Sequence, residues 1–455
     1  MELYTKGREV EPEIKAQFKR MLPSVFADQF SVICLGVVNV IMAGNVSGVV
    51  LAGVGQVDAI NMILVYVFNS FATAGTVIIA QHIGRNDRAQ AEESMLQTLV
   101  AGTLFLTLLS VALVLVRTPV LHLLYPKVES AVMLKSLDYM IWSVPSLPLT
   151  FIFSQCAGAL RSADSMRMPM LASIVMNLVN ILLGFILIIG VGNFEGYGAF
   201  GAGVAIFTSR LIGATLLVLF TLGGHAPIRL HLSLKFRFKP AIIKELLDIG
   251  IPIALETFLF HSGRLMVQVI VATMGTVMIS ANQVAMSCLN IFSVCTNSYQ
   301  FIIVTLVAQR VGAKSRQRSD AALRYVASMG EITNFFVGLT AFFSAPYLCG
   351  IFSSDPEIIR VAALSIRIMS PFFLLHTSSF TIPMGFRGAG DVRYPLVISV
   401  FSMWIFRVAF GYFLGVTMKF FVYGVIVAMG LDWVFRGTLY SRRMRREEWM
   451  EKIPR

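Results

Sequence analysis

The stretch that decides the fold reads IAQHIGRND at residues 79–87, where an apolar segment gives way to a polar one. The second half of the chain repeats its Ala-Gln-x-x-Gly pattern in VAQRVGAKS, at residues 307–315. Three further blocks recur in the same order: LPSVFADQF at 22–30 with IPIALETFLF at 251–260, Gln56-Val57 with Gln283-Val284, and RSADSMRMP at 161–169 with RGAGDVRYP at 387–395. The four pairs are separated by nearly the same interval, which indicates two halves with the same fold.

The composition predicts that both halves are embedded in a membrane. Hydrophobic residues make up 56% of the 455 residues and charged residues only 14%, with a mean hydropathy of +0.75. Soluble domains carry about 25% charged residues, so a soluble enzyme, a disordered protein and a secreted disulfide scaffold are excluded. The apolar residues fall in blocks of roughly 20, enough to cross ~30 Å of hydrocarbon as a helix.

We therefore predict an all-α polytopic membrane protein with twelve transmembrane helices, six in each of two lobes related by the repeat. The predicted spans are centred near residues 33, 69, 106, 150, 179, 212, 262, 295, 341, 372, 405 and 429. Because six is even, the two halves have the same orientation, related by an axis along the membrane normal. The predicted domains are an N-lobe at 1–224, a cytosolic linker at 225–240, and a C-lobe at 241–455 that ends in a basic cytosolic tail.

The basic residues predict the orientation of the chain. Of the 37 Lys and Arg residues, 28 lie in the N-terminus, the even-numbered loops and the C-terminus, whereas the odd-numbered loops hold five. This asymmetry follows the positive-inside rule and puts both termini in the cytosol, in the cell (plasma or inner) membrane. The net charge of +12 therefore reflects topology, and we expect no nucleic-acid partner.

Polar residues inside the spans mark candidate functional positions, since lipid offers them no partner. Span 1 carries Asp28 and Asn39. The two residues are eleven positions apart, a spacing that places them within ~20° of each other on one helix face. Burial favours the protonated form of a carboxyl group, as a proton-coupled carrier requires. The alternative for Asp28 is that it reaches water at the cytosolic end of the span.

Span 7 carries the longest polar stripe. His261, Arg264 and Gln268 are three and four residues apart and share a face, with Glu256 two turns below Arg264. We expect Glu256 to line a cavity and bind a cation or a proton; the alternative is an internal ion pair that only holds helices together. Asn180 in span 5 could bind an ion or substrate, or could hydrogen-bond to a neighbouring helix at modest energy.

Several catalytic and energy-coupling motifs are absent from the sequence. It contains no HExxH, no GxxxxGK[ST] phosphate loop, no DDxxD and no Cys/His cluster with metal spacing. We therefore expect no enzyme activity and no cofactor, and the question of a bound metal ion stays open. The energy for transport must come from an ion gradient or from the substrate.

The whole chain, from about residue 15 to about 440, resembles the multidrug and toxic compound extrusion (MATE) family of the multidrug/oligosaccharidyl-lipid/polysaccharide flippase superfamily. The motifs that carry the resemblance include TAGTVIIAQHIGRNDRAQAEE, GALRSADSMRMPMLASIVMNLVNILLGFILI and FRGAGDVRYPLVISVFSMWIFRVAFGYFLG. The resemblance implies a secondary active antiporter that exports amphipathic, usually cationic, small organic compounds against H⁺ or Na⁺ by alternating access. We expect the chain to work in the lipid bilayer as a monomer.

The chain departs from the family at the residues that couple ion to drug. The family's acid in span 1 corresponds to Asn39 here, and the acid that follows the span 5 Asn in some members corresponds to Gly184. An amide cannot carry a proton at neutral pH. Glu256 matches the acid seen early in span 7 in part of the family. We therefore predict that coupling has moved to Glu256, with Asp28 in reserve.

The arginines keep an alternative function open. Four of them, Arg210, Arg264, Arg367 and Arg407, lie inside predicted spans. Arginine pairs bidentately with phosphate, which would suit a flippase for a lipid-linked or other anionic amphiphile. We expect Arg210, Arg264 and Arg407 to face protein rather than lipid.

The arginines of the RSADSMRMP and RGAGDVRYP motifs have a separate predicted role. We expect them to anchor cytosolic loops without binding substrate: Arg161, Arg167, Arg387 and Arg393.

Overall fold

A computed structural model describes residues 11–44, 48–126, 128–191, 194–224, 226–231 and 237–451, with the backbone alone at 37–44, 191 and 194. The helices of the first half are α1 (Pro12–Gly44), α2 (Gly48–Gly84), α3 (Arg88–Leu115), the short α4 (Arg117–Leu124), α5 (Ser130–Ser143), α6 (Ser146–Ser162), α7 (Arg167–Gly184) and α8 (Ala199–Leu222).

The second half is also predominantly helical over its described length. Its helices are α9 (Pro240–Ala272), α10 (Thr276–Phe292), α11 (Val294–Gly312), α12 (Arg316–Phe352), α13 (Pro356–Met369), α14 (His376–Phe380), α15 (Ile382–Gly388), α16 (Arg393–Ser402) and α17 (Phe421–Arg446). The described strands are β1 (Gly190–Val191) and β2 (Phe194–Glu195), which form one short antiparallel pair in the first half.

The prediction of twelve helical spans is confirmed, because each predicted centre falls within a separate helical segment. Eight described segments are long and apolar enough to cross a bilayer, and two bent helix pairs raise this number to ten. The other two spans are α1 and α9, each 33 residues long, which carry the charged residues of spans 1 and 7.

Several spans are broken, and the breaks have local causes. Helices α5 and α6 meet at 40° beside Pro145, and α10 and α11 meet at 46° at Ser293. Span 10 divides into α13, a 3₁₀ turn at Ser370–Leu375, α14 and α15. Pro371 and Pro383 lie at the breaks of span 10, where their missing N–H groups remove helical hydrogen bonds.

Grouping the chain by contacts yields two units with boundaries that differ from the predicted domains. The N-terminal unit is Ala27–Ala254, and the C-terminal unit is Leu255–Arg455 together with Met1–Phe26. The first turns of α1 thus belong with the C-terminal unit, and the first turns of α9 with the N-terminal unit. The predicted lobes at 1–224 and 241–455 describe the sequence repeat and remain a prediction.

Packing explains why α1 begins in the C-terminal unit. The Phe18 ring stacks on Tyr299 at 5.7 Å and meets Tyr325 edge-on at 5.5 Å. Arg310 donates from Nη2 to Gln17 Oε1 over 2.9 Å. The last helical turns of the chain also pack into this unit, since Trp449 is buried against the Phe386 ring. The predicted basic tail is therefore partly folded.

The two halves share backbone detail at their loops. Asn86 and Lys314, which hold the same place in the repeated Ala-Gln-x-x-Gly blocks, are both left-handed, with φ of 58° and 56°. Each is followed by a capping side chain: Asp87 accepts from Gln90 N, and Ser315 accepts from Arg318 N. Such matched turns are what a sequence repeat predicts.

Candidate functional site

Glu256, the predicted coupling acid, is buried in an ion pair. It lies in α9 four residues after Pro252, and its Oε2 is 2.7 Å from Nη2 of Arg387, in the last turn of α15. Glu256 is only 4% exposed. Nη1 of Arg387 meets the Met384 sulfur at 2.9 Å, which helps to fix the guanidinium. A buried carboxylate is thus held by a permanent cation from the short helix α15.

Asp28 forms the corresponding pair in the N-terminal unit. Its Oδ2 lies 3.4 Å from Nη1 of Arg161, in the last turn of α6, and 3.4 Å from Nε2 of Gln29. Asp28 is 7% exposed, so the structure buries it rather than opening it to water. Arg161 and Arg387 each begin one of the two matching motifs, so the same acid–arginine pair occurs once in each unit.

The arginines of the two repeat motifs therefore divide into two kinds. The first of each motif, Arg161 and Arg387, points to a buried acid, which the prediction of loop anchoring did not anticipate. The second of each, Arg167 and Arg393, begins a helix and is exposed. The motif spacing gave no means of distinguishing them, because the partner acids lie in other helices.

The amides of the N-terminal unit bridge helices. Asn177 Nδ2 donates to Ser31 Oγ at 2.9 Å, and Asn180 Nδ2 donates to Ser209 Oγ at 3.1 Å. This hydrogen bonding matches the helix-bridging alternative for Asn180. The side chain of Asn39 lies outside the described residues, although its backbone belongs to α1, and Gly184 ends α7.

The rest of the span 7 stripe is divided between interior and surface. His261 and Arg264 are half-buried, and Gln268 is exposed. His261 meets the neighbouring Phe260 ring edge-on at 5.9 Å. The structure therefore does not bring Gln268 to Glu256, whereas Arg264 interacts electrostatically with both His261 and Arg407.

Sequence reasoning missed the most highly charged buried group, which lies in the C-terminal unit. Asp432 in α17 is fully buried, and its Oδ2 accepts from Arg407 Nε at 2.7 Å. Ser402 Oγ donates to its Oδ1. Arg436, one turn further along α17, places Nη1 3.9 Å from the same Oδ2. Arg407, as expected, faces protein, in a stretch where span 11 widens into a π-helix.

Arg436 and Asp432 were missed for a positional reason. The predicted centre of span 12 is near residue 429, so the sequence assigns the arginines after this span to the basic cytosolic tail. In the structure α17 continues to Arg446, so Arg436 lies well inside the helix and is 3% exposed. The pattern Asp-x-x-x-Arg at helical spacing was the signal available, since residues four apart share a face.

Two further acids were also overlooked. Asp58 in α2, which is exposed, accepts from the Tyr139 hydroxyl at 2.7 Å, and the buried Glu331 in α12 accepts from Ser378 Oγ. Arg210 interacts electrostatically with Asp58 and donates to Ser146 Oγ at 2.7 Å, so it meets protein groups as expected. Both acids lie far from the centres of their predicted spans, near the span ends.

Within the described ranges, no three His, Cys, Asp or Glu side chains converge as a metal site would need. A monovalent cation needs fewer charged ligands. The Glu256 carboxylate is paired with Arg387 in this structure.

Comparison with known proteins identifies the family. The MatE family model matches residues 23–186 and 252–413, so each half of the repeat carries one copy. A probable multidrug resistance protein NorM from Thermotoga maritima is 25% identical over 438 residues, covering 95% of this chain and 92% of that protein. The multidrug resistance protein MdtK of Cronobacter sakazakii is 24% identical, covering 87% and 86%.

Solved structures share the fold. An outward-facing multidrug resistance MATE family transporter of the MOP superfamily superposes with a TM-score of 0.85 at 15% identity, covering 97% of this chain and 100% of the other. A MOP superfamily transporter from Pyrococcus furiosus, described as having a binding pocket of reverse polarity, gives a TM-score of 0.86 at 15% identity, covering 97% and 99%. Two copies of the family model, twelve spans and this shared fold lead to one conclusion: the chain is a multi-pass membrane protein that belongs to the MatE family.

Proposed function

We propose that this protein is a secondary active antiporter that exports amphipathic organic compounds in exchange for H⁺ or Na⁺ by alternating access. The observation that carries the proposal is the buried Glu256–Arg387 pair, at 2.7 Å. The relatives named as multidrug resistance proteins support small organic molecules as substrates. Cationic substrates, a monomeric state, the absence of a cofactor and a cell-membrane location with cytosolic termini belong to the same proposal.

The ion pair can act as a coupling switch because a proton or Na⁺ competes with Arg387 for the same carboxylate. Removing one partner from a buried pair costs roughly 3–5 kcal/mol, which corresponds to a shift of about two to four powers of ten in an equilibrium constant. An ion that binds Glu256 therefore releases Arg387 and destabilises the paired state. The protein then favours whichever conformation gives the guanidinium another partner.

The position of Arg387 allows this release to move a helix. Arg387 lies in α15, which is seven residues long and separated from α14 by a break at Thr381. Hinges in conformational changes are a few loop or element-terminal residues, and the break at Thr381 is such a position. Protonation of one carboxylate can thus alter the last part of span 10.

Asp28 and Arg161 provide a second, weaker pair for the same task. Their 3.4 Å separation exceeds the 2.7 Å of the C-terminal pair, and Gln29 shares the carboxylate oxygen. We therefore assign the main coupling role to Glu256 and a subsidiary one to Asp28.

A second candidate function is translocation of an anionic amphiphile. It is favoured by the excess of arginine at the buried Asp432, where Arg407 and Arg436 face a single carboxylate. The transporter of similar fold from Pyrococcus furiosus is described as having a binding pocket of reverse polarity. A positively charged binding pocket in this protein would agree with the two arginines at Asp432.

Transport by the purified protein in lipid vesicles tests the proposal. A pH gradient and a Na⁺ gradient are imposed separately, and accumulation of a fluorescent amphipathic cation is followed in each. We expect accumulation driven by one of the two gradients and abolished by the matching ionophore. Accumulation under neither gradient, together with translocation of a fluorescent acidic lipid without any gradient, would overturn antiport in favour of the second candidate.

A further inference from the structure

The buried charges around Asp432 do not balance. Arg407 and Arg436 both approach its Oδ2, at 2.7 and 3.9 Å, and all three side chains are at most 10% exposed. Arg264 on α9 adds a further positive charge within electrostatic range of Arg407. Arginine keeps its charge at any physiological pH, so two arginines face one acid in this arginine cluster (Arg407, Arg436 and Asp432), which carries a net positive charge.

Hydrogen-bond donors in and beside the arginine cluster lack acceptors. Within the described part of the chain, Nε and Nη1 of Arg436 and Nε1 of Trp433 are buried and make no hydrogen bond. Arg436 Nη2 donates to the Ser379 carbonyl at 3.1 Å. Arg436 and Trp433 are three residues apart on α17, so they share a face. An orphaned buried donor is unfavourable, and more so when it is charged, so these groups gain from a ligand that accepts from them.

Aromatic rings surround these donors. The Arg436 guanidinium lies over Phe380 at 4.5 Å and over Phe260 at 5.2 Å, and Arg407 lies over Phe260 at 5.4 Å. Trp433 packs against Phe380 at 5.7 Å. Ring faces of this kind also bury the apolar part of a ligand, while the guanidinium groups take its polar end.

We propose that the arginine cluster binds the acidic group, carboxylate or phosphate, of an amphipathic substrate. The excess positive charge favours binding of an anion. The oxygens of the anion accept hydrogen bonds from the orphaned guanidinium and indole N–H groups. Asp432 occupies part of this site as an internal competitor. The inference rests on the proposed function in taking amphipathic compounds as substrates, and it adds an acidic group to the cationic group of that proposal, which makes the substrate zwitterionic.

The geometry also indicates how such a site is adjusted. Arg407 lies in the π-helical stretch Met403–Phe410, where the wider turn displaces side chains from regular helical positions. Ser402, the residue just before that stretch, donates a hydrogen bond to Asp432. An anion that enters the cluster can accept hydrogen bonds from the arginines that now face Asp432, with the helices as they are.

Equilibrium binding to the purified full-length protein tests the proposal without any gradient. The probes are decanoate, decyl phosphate and the neutral decyl maltoside, with phosphatidic acid in nanodiscs as a separate arm. Binding is followed by titration calorimetry. We expect both acidic single-chain probes to bind at least tenfold more tightly than the maltoside. Binding only of phosphatidic acid would identify a lipid headgroup as the source of the phosphate.

Two variants sharpen the test. Arg436→Gln should weaken acidic probes at least tenfold and leave the maltoside unchanged, whereas Asp432→Asn should tighten acidic probes at least threefold by removing the competitor. Arg367→Gln, an exposed arginine on α13, is the matched control and should bind like the parent. Arg407→Lys replaces Arg436→Gln if that variant does not fold, with a weakening of the same sign expected.

Equal affinities for acidic and neutral probes in the parent, or weaker acidic binding in Asp432→Asn with its fold intact, would overturn the inference. Failure of the proposed antiport is a separate outcome, because antiport is measured under a gradient whereas these affinities are measured without one.

Discussion

At the residue scale, the two units use the same acid–arginine pair. Asp28 lies five residues after Pro23 and Glu256 four residues after Pro252, and their arginines begin the two matching motifs. Duplication of an element that contains its own ion pair explains this symmetry. It also shows where sequence reasoning was strong: acids and arginines were both singled out, and only their pairing across helices needed coordinates.

Substitution of Arg387 tests the energetic weight of the pair. Arg387→Gln leaves Glu256 buried without its guanidinium, and we expect a loss of roughly 3–5 kcal/mol in stability. Arg387→Lys keeps the charge and should lose less. Thermal unfolding of the purified variants measures this order. The exposed repeat arginine provides the control: Arg393→Gln should unfold like the parent, and an equal loss in both Gln variants would contradict the pairing.

Residues predicted poorly share a physical trait. Asp58 and Asp432 are single acids between apolar neighbours, and their partners, Tyr139 and Arg407, come from distant helices. Helical periodicity finds residues on one face but not the facing residues of another helix. Asp28 and Glu256 were found because other polar groups repeat along their own helices.

At the element scale, the breaks in the spans matter more than the spans themselves. The spans were predictable from hydropathy, since about 20 apolar residues suffice for each. Prolines mark several of the breaks, but the division of span 10 into α13, α14 and α15 depends on how its pieces pack. The break at Thr381 separates the arginine-bearing α15 from the rest of the span.

Close packing fixes α15, and Gly388 tests it. A Cβ at Gly388 would lie 2.7 Å from the Val304 carbonyl oxygen of α11, so Gly388→Ala must displace backbone. We expect a loss of about 1–3 kcal/mol, typical of overpacking, seen as a lower unfolding temperature. Gly350→Ala, in α12 with open space around it, should be neutral or stabilising by helix propensity. Equal effects of the two substitutions would contradict this packing.

At the scale of the whole molecule, the repeat predicted the architecture but not the grouping of its helices. Halves of six spans each followed from the constant offset. The first turns of α1 group with the C-terminal unit because residues such as Phe18 contact the later sequence, and the first turns of α9 group with the N-terminal unit. Sequence similarity reports ancestry of the halves, whereas contacts report packing, so the two boundaries need not coincide.

The predicted orientation can be checked at the matched loops. Asn86 and Lys314 are exposed, left-handed turn residues at equivalent points of the two halves. The five native cysteines are replaced, and Asn86→Cys or Lys314→Cys is introduced singly. The positive-inside rule predicts that a membrane-impermeant maleimide labels both from the cytosolic side only. Labelling of one of them from outside would contradict the parallel orientation of the halves.

Gradient-driven transport by Glu256→Gln tests the central claim most directly. The variant removes the charge that pairs with Arg387 while keeping side-chain size, and Asp28→Asn is the matched change in the other unit. In vesicles with imposed pH or Na⁺ gradients, we expect Glu256→Gln to abolish driven efflux while retaining a folded protein and some substrate binding. Asp28→Asn should reduce efflux less. Parental transport by Glu256→Gln under both gradients would contradict coupling at this carboxylate.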